Sequence, residues 1–192
     1  MKYLLLYILT IMSFSSMSQT EEQKFTVLNT IDDIEIREYA PVIYAIATSD
    51  SNNNLFRILA GYIFGGNESN QKIAMTAPVH MQESSDSNKK LYTMKFVMPS
   101  EYTIDELSQP NDSRVKMEKV NKKKYAAIGY SGYNNDSKFN SHLNKLKKIL
   151  DKNNISYSGK PIYLGYDAPY KFWGRRNEVL FELDWNLISK LK

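Results

Sequence analysis

Apolar and charged residues alternate through Ile34-Glu35-Ile36-Arg37-Glu38-Tyr39, the period-two signature of a half-buried strand. A short strand over 25–28 precedes it. Pro41 interrupts the run, and a further strand resumes over 42–47. Strands are also predicted over 73–81 and 91–98, paired across a polar loop at 82–90, and over 115–120 and 125–130. The last pair falls at 161–166 and 178–183, and the stretch 99–112 is a loop with room for one helical turn. Two segments instead carry a helical period. The first, over 53–64, has Leu55, Phe56, Ile58, Leu59, Tyr62, Ile63 and Phe64; polar N-cap candidates at 49–54 precede it and Gly65-Gly66 ends it. The second, over 136–151, presents Phe139, His142, Leu143, Leu146, Ile149 and Leu150 on one face and lysines on the other, and Asn153-Asn154 closes it.

The order is two strands, a helix and two strands, and then the same again. Thr76-Ala77-Pro78 and Asp167-Ala168-Pro169 look like local echoes of one another, each near the first strand after a helix. Two ββαββ units can close their sheets on each other. The expected class is therefore α+β, a distorted antiparallel β-barrel of about eight or nine strands flanked by two helices. The apolar surface of the first helix is wider than the stripe of about 100° that one buried face needs, so something must cover the surplus.

The start of the chain changes the picture. Met1-Lys2 is followed by an apolar run to Met12 and small residues through Ser18, which reads as an export signal over 1–18, with one domain over 19–192. About ten apolar residues are too few to span a bilayer, which takes about 20, so no stable membrane insertion is expected after cleavage. The expected location is exported, periplasmic or secreted. There is no cysteine, so packing must hold the fold, and thiolate ligands, a lipid-bearing cysteine and a cysteine nucleophile are excluded. The 25 basic and 21 acidic residues give +4, scattered along the chain, which does not point to nucleic acid.

Catalytic templates are missing. Gly129-Tyr130-Ser131-Gly132 lacks the second spacer of a nucleophile elbow, and no zinc, phosphate-loop or dinucleotide motif is present. The only histidines are His80 and His142. His142 lies on the apolar face of the second helix, where a single hydrogen bond would satisfy it. His80 shares a strand face with Thr76 and Pro78, and is a candidate iron ligand if that face looks inward. Arg175-Arg176-Asn177-Glu178 offers two guanidiniums at a strand entrance, suited to pinning strand ends through Glu35 or Glu38 or to meeting an anionic ligand group. The connection from Tyr166 to Trp173 is the densest cluster of rings in the chain. It would either pack over the core or wall a pocket with the first helix.

Five segments occur here in the order seen in the SOUL/HBP haem-binding family: Ile36 to Pro41, Tyr62 to Asn67, Lys72 to Val79, Tyr166 to Pro169 and Arg175 to Val179. The chain resembles that family over about residues 26–183, nearly all of the expected domain. The resemblance implies a distorted barrel with two helices, and haem or another tetrapyrrole, as ligand and not reagent, in an apolar groove between the first helix and the 166–173 connection. It would be lined by Leu55, Leu59, Tyr62 and Ile63, with Tyr170 and Phe172 opposite. Arg57 is the basic residue of that helix. With no histidine on the helix, binding would rest on apolar burial at about 25 cal/mol per Å². The alternative readings for the same groove are a cell-envelope interaction module or a small-molecule effector-binding domain. An enzyme comes last, and a protein partner is left unspecified.

Overall fold

The computed structural model describes residues 20–86 and 89–184, so the expected leader lies outside the described residues. Eleven strands and two α-helices follow in chain order. They are β1 (Glu21–Glu22), β2 (Phe25–Ile31), β3 (Ile34–Tyr39), β4 (Val42–Ser49), α1 (Leu55–Ile63), β5 (Thr76–Ala77), β6 (Val79–Asp86), β7 (Lys89–Val97), β8 (Lys116–Val120), β9 (Lys123–Ser131), α2 (Asp136–Lys152), β10 (Tyr157–Gly165) and β11 (Arg176–Leu183). Nine of the strands form one antiparallel sheet in the order β2-β3-β9-β11-β10-β6-β7-β4-β8, while β1 and β5 form a separate two-residue parallel pair. The α+β class holds. The sheet curls into a half-barrel with β2 and β8 at its two edges, because neither finds a second neighbour among the described strands.

The duplication appears in the strand order. Reading outward from the β10–β6 junction gives β11-β9-β3 on one side and β7-β4-β8 on the other. Each unit supplies its second, third and fourth strands to its own half and lends its first strand to the other: β3 pairs with β9, and β8 pairs with β4. The two Ala-Pro segments are not equivalents within this repeat. Ala77-Pro78, a cis peptide, precedes β6, whereas Ala168-Pro169 follows β10.

Alternation decides which side of the sheet each residue takes. Ile43, Ala45, Ala47, Met94 and Phe96 turn toward α1 and pack on Leu55, Leu59, Tyr62 and Ile63. Ile34, Ile36, Ala126, Ile128, Val179 and Phe181 turn toward α2 and pack on Leu146, Ile149 and Leu150. Each such leucine or isoleucine, once buried, contributes about 1.5–3 kcal/mol. Both helices therefore cover one face of the sheet. The opposite, concave face carries Tyr39, Ala127, Leu164 and Leu180.

Three expectations shift. The polar stretch expected as a loop at 82–90 is mostly strand, since β6 and β7 run on to Asp86 and Lys89. The last hairpin starts earlier, at Tyr157, across a register shift between Ser158 and Ile162 where Gly159 takes a positive φ of 73°. The strand expected over 73–81 is split at Pro78 into β5 and β6, and β1 was not foreseen, being too short to show a period.

Candidate functional site

One end of the sheet gathers nearly every segment that stood out in the sequence. Val79 opens β6 opposite Gly165, which closes β10, and Arg176 opens β11 opposite Ser131. The 166–175 connection and the 72–78 segment therefore share this end. The C-terminus of α1 is tied to it as well: Ile73 N–H donates to Ile63 O at 2.8 Å, and Phe64 bridges to Lys72. Gly66 allows the turn that follows α1, because its N–H reaches Gly61 O at 2.8 Å and a Cβ there would lie 2.6 Å from that oxygen. Asn67, buried, staples the same turn through Nδ2 to Tyr62 O (3.0 Å) and Gln71 O (2.8 Å).

The 166–175 connection is held by its own polar groups. The Arg175 guanidinium donates through Nη1 to Ala168 O (2.7 Å) and Lys171 O (2.9 Å), and through Nη2 to Asp167 O (3.4 Å). It also lies over the Tyr133 ring at 4.7 Å. The Asp167 carboxylate accepts from the Arg176 backbone N–H at 2.5 Å and from Lys171 Nζ. Burial alone would raise this carboxyl, but those two donors hold it below its ordinary range. Arg176 stacks over Tyr166 at 3.5 Å and pairs with Glu22. The result is a braced flap with its rings turned outward: Tyr170 is 79% exposed, Phe172 72% and Trp173 79%.

Beneath the foot of the flap, on the concave face, lies a buried charge network. Arg37 Nη1 and Nη2 reach the two carboxylate oxygens of Glu178 at 2.7 and 3.1 Å, and Arg37 Nε reaches Glu35 at 2.7 Å. Tyr166 donates its hydroxyl to Glu178 at 2.8 Å. Burial by itself would lower the Arg37 guanidinium, yet the bond to Glu178 and its charge keep it raised. Burial and the Glu178 charge push the Tyr39 phenol up to about 12. Of the two carboxylates that the sequence suggested for Arg175 and Arg176, Glu35 pairs with Arg37 and Glu38 with Lys122. The arginines at the strand entrance instead hold backbone carbonyls and Glu22.

The residues expected to line a groove fall into two groups. Leu55, Leu59, Tyr62 and Ile63 are at most 2% exposed and belong to the cluster under α1, in which neither Tyr170 nor Phe172 takes part. The surplus of α1 is covered by protein on that face. What α1 leaves outside is Phe56, 48% exposed, and its cap residue Phe64, 69% exposed. Arg57 is exposed and lines a shallow open depression with Tyr62, Asp112 and Arg114. His80 does face inward, but it is buried and its Nε2 bonds Gln23 Oε1 at 2.7 Å, while Gln23 Nε2 donates to Tyr44. Burial, with a smaller contribution from Lys95, lowers its imidazole to about 3, so it is neutral. His142 stacks on Tyr130 at 4.4 Å and bonds Lys138 O through Nδ1. No group of three or more His, Asp or Glu able to hold a metal occurs among the described residues.

The molecule is thus a duplicated half-barrel with a braced, ring-bearing flap at one end of its sheet. The chain belongs to the SOUL heme-binding protein family, whose model it matches over residues 20–182. It is 30% identical to heme-binding protein 1 of Xenopus laevis over 134 residues, 68% of this chain and 70% of that protein. It is also 30% identical to heme-binding protein 2 of Mus musculus over 155 residues, 76% of this chain and 75% of that protein. Two solved structures share the fold. A hydrolase from Listeria innocua aligns with TM-score 0.55 at 9% identity (82% of this chain, 94% of that one), and the EcmrR C-terminal domain with TM-score 0.57 at 10% identity (79% and 96%). No described helix is long and apolar enough to cross a membrane.

Proposed function

We propose that this protein is an exported, non-enzymatic binder of haem or a related tetrapyrrole, and that the ligand sits between α1 and the 166–173 connection. The observation that carries the reading is the run of exposed rings at Tyr170, Phe172 and Trp173 on a flap that Arg175 braces from within. Rings left in water on an ordered loop await an apolar partner, and a flat macrocycle matches their faces. Tyr170 and Phe172 supply the ring faces, Arg57 the cation for a propionate, and Leu55, Leu59, Tyr62 and Ile63 support α1 from beneath. His80 is buried against Gln23 and His142 stacks on Tyr130, so in this reading apolar burial and not an axial bond carries affinity.

Titration of the purified protein with hemin and with protoporphyrin IX tests this. The Soret band shifts and tryptophan fluorescence is quenched at micromolar ligand, with hemin and protoporphyrin bound comparably. The Tyr170→Ala, Phe172→Ala double variant weakens binding about tenfold or more. An unshifted band and unquenched fluorescence with both ligands rule the reading out. Export is tested separately by mass spectrometry of the secreted fraction, where the mature chain begins close to Gln19.

A further inference from the structure

A cavity of about 230 Å³ is lined by no residue of the flap itself, although Glu22 on its rim pairs with Arg176 at the flap's foot. It sits between the N-terminal segment 21–24, the start of β4 and the loop 98–104, and its lining is more apolar than polar. The floor is Ile43 and Met98, both buried, and Ile104 forms part of the wall. The walls are fixed. Gln23 N–H donates to Ala77 O at 2.8 Å, Ala40 N–H to Lys24 O at 3.2 Å, and Met98 N–H to Ile43 O at 2.8 Å. Glu21 takes the Ser100 N–H on both carboxylate oxygens, at 3.1 and 3.3 Å. The cavity is therefore formed without a ligand, as small-molecule sites usually are.

Its charges are unevenly committed. The two carboxylates at the cavity are occupied, Glu21 by the Ser100 N–H and Glu22 by Arg176. The two cations, Lys24 and Lys119, form no ion pair among the described residues. A dry cavity of about 150 Å³ holds a benzene ring, so this space takes one ring and a short substituent, while a tetrapyrrole is far too large. We propose that this cavity is a binding site for a small apolar carboxylate, one ring or a short chain carrying a single negative charge, held by the apolar floor and by Lys24 and Lys119 at the mouth. The site is independent of the tetrapyrrole reading.

Phenylacetate titrated into ¹⁵N-labelled protein tests it, with amide shifts followed by NMR. Saturable shifts are expected in segments 21–24 and 98–104, and neutral 2-phenylethanol binds about fivefold more weakly. Ile104→Trp fills the space and abolishes the shifts. Lys119→Glu, on an exposed edge position that leaves the fold intact, weakens phenylacetate about fivefold and leaves 2-phenylethanol unchanged. Absence of saturation, shifts that persist in Ile104→Trp, shifts confined to the 166–175 flap, or displacement of phenylacetate by hemin would each overturn the proposal. Hemin binding by Ile104→Trp is expected to match the unsubstituted protein, which separates failure here from failure of the tetrapyrrole reading.

Discussion

The repeat has one pair of equivalent connections that differ sharply. In the first unit β6 passes to β7 across two residues, between Asp86 and Lys89. In the second, β10 passes to β11 through the whole 166–175 flap. The strands on either side do the same work in both units, pairing with each other and burying their apolar positions under a helix. A minimal turn is enough to join such strands. The extra residues of the second connection contribute little to the core, and three of its rings stay in solvent. Where two copies of one unit diverge without need from the fold, the longer loop is a natural place for function, and the proposed binding site uses this one.

Three experiments sharpen that comparison. The largest effect lies just under the flap. Arg37→Met leaves Glu178 buried without its cation and costs about 3–5 kcal/mol, read as a drop in the denaturant midpoint. The exposed Lys90–Glu83 pair beside the short turn, cut by Lys90→Met, leaves the midpoint nearly unchanged. Equal losses from the two would mean that Arg37 and Glu178 are not the desolvated pair described.

The next effect is set by pH. His80 stays neutral when folded, with its imidazole lowered to about 3, against about 6.5 in the unfolded chain. Its contribution is complete above the unfolded value and is lost as pH falls from 6.5 toward 3, because the unfolded chain takes up the proton first. At pH 5 the loss is about 2 kcal/mol. His80→Gln removes that part of the acid slope, so the melting curves of the two proteins diverge at neutral pH and converge on acidification. Parallel slopes would show His80 to be solvated.

The smallest effect on stability, and the most telling for the flap, comes from Arg175. Arg175→Ala releases the carbonyls of Asp167, Ala168 and Lys171 and lowers the melting temperature by the equivalent of about 1 kcal/mol. Amide exchange is expected to quicken within 166–175 while the β6–β7 turn is unchanged, and hemin affinity falls because the rings are no longer held apart from the core. Unaltered exchange would mean that the flap is ordered by something other than this guanidinium.

Much of the architecture was legible in the chain because burial is periodic. The alternation of β3, the wide apolar face of α1 and the lysine-backed face of α2 each predict the element that forms. The start of β10 was hidden by Ser158-Gly159-Lys160, where a bulge admits residues that ordinary strands avoid. The end of β6 was hidden by Ser84 and Ser85, since a hairpin running beyond the core has no reason to be apolar. Arg37 shows the limit of a simple alternation rule. In a flat sheet its face would be wet, but here the sheet curls and that face is an interior, so a position marked for solvent receives a buried guanidinium. The same limit applies to Leu59 and Tyr62. Excess apolar residues on a helix indicate that something covers them, without indicating whether it is the chain itself, and here it is. The flap's rings were visible as a cluster, while its bracing was not, because backbone carbonyls have no letter in a sequence.

The exchange of first strands has a further consequence. Since β3 completes the second unit and β8 completes the first, neither half presents a finished sheet by itself, and the most deeply buried of the described ion pairs joins residues 141 positions apart. A ribosome that has delivered only the first unit has delivered a sheet with an open side. The molecule must wait for nearly its whole length before it closes, and then it closes as one piece.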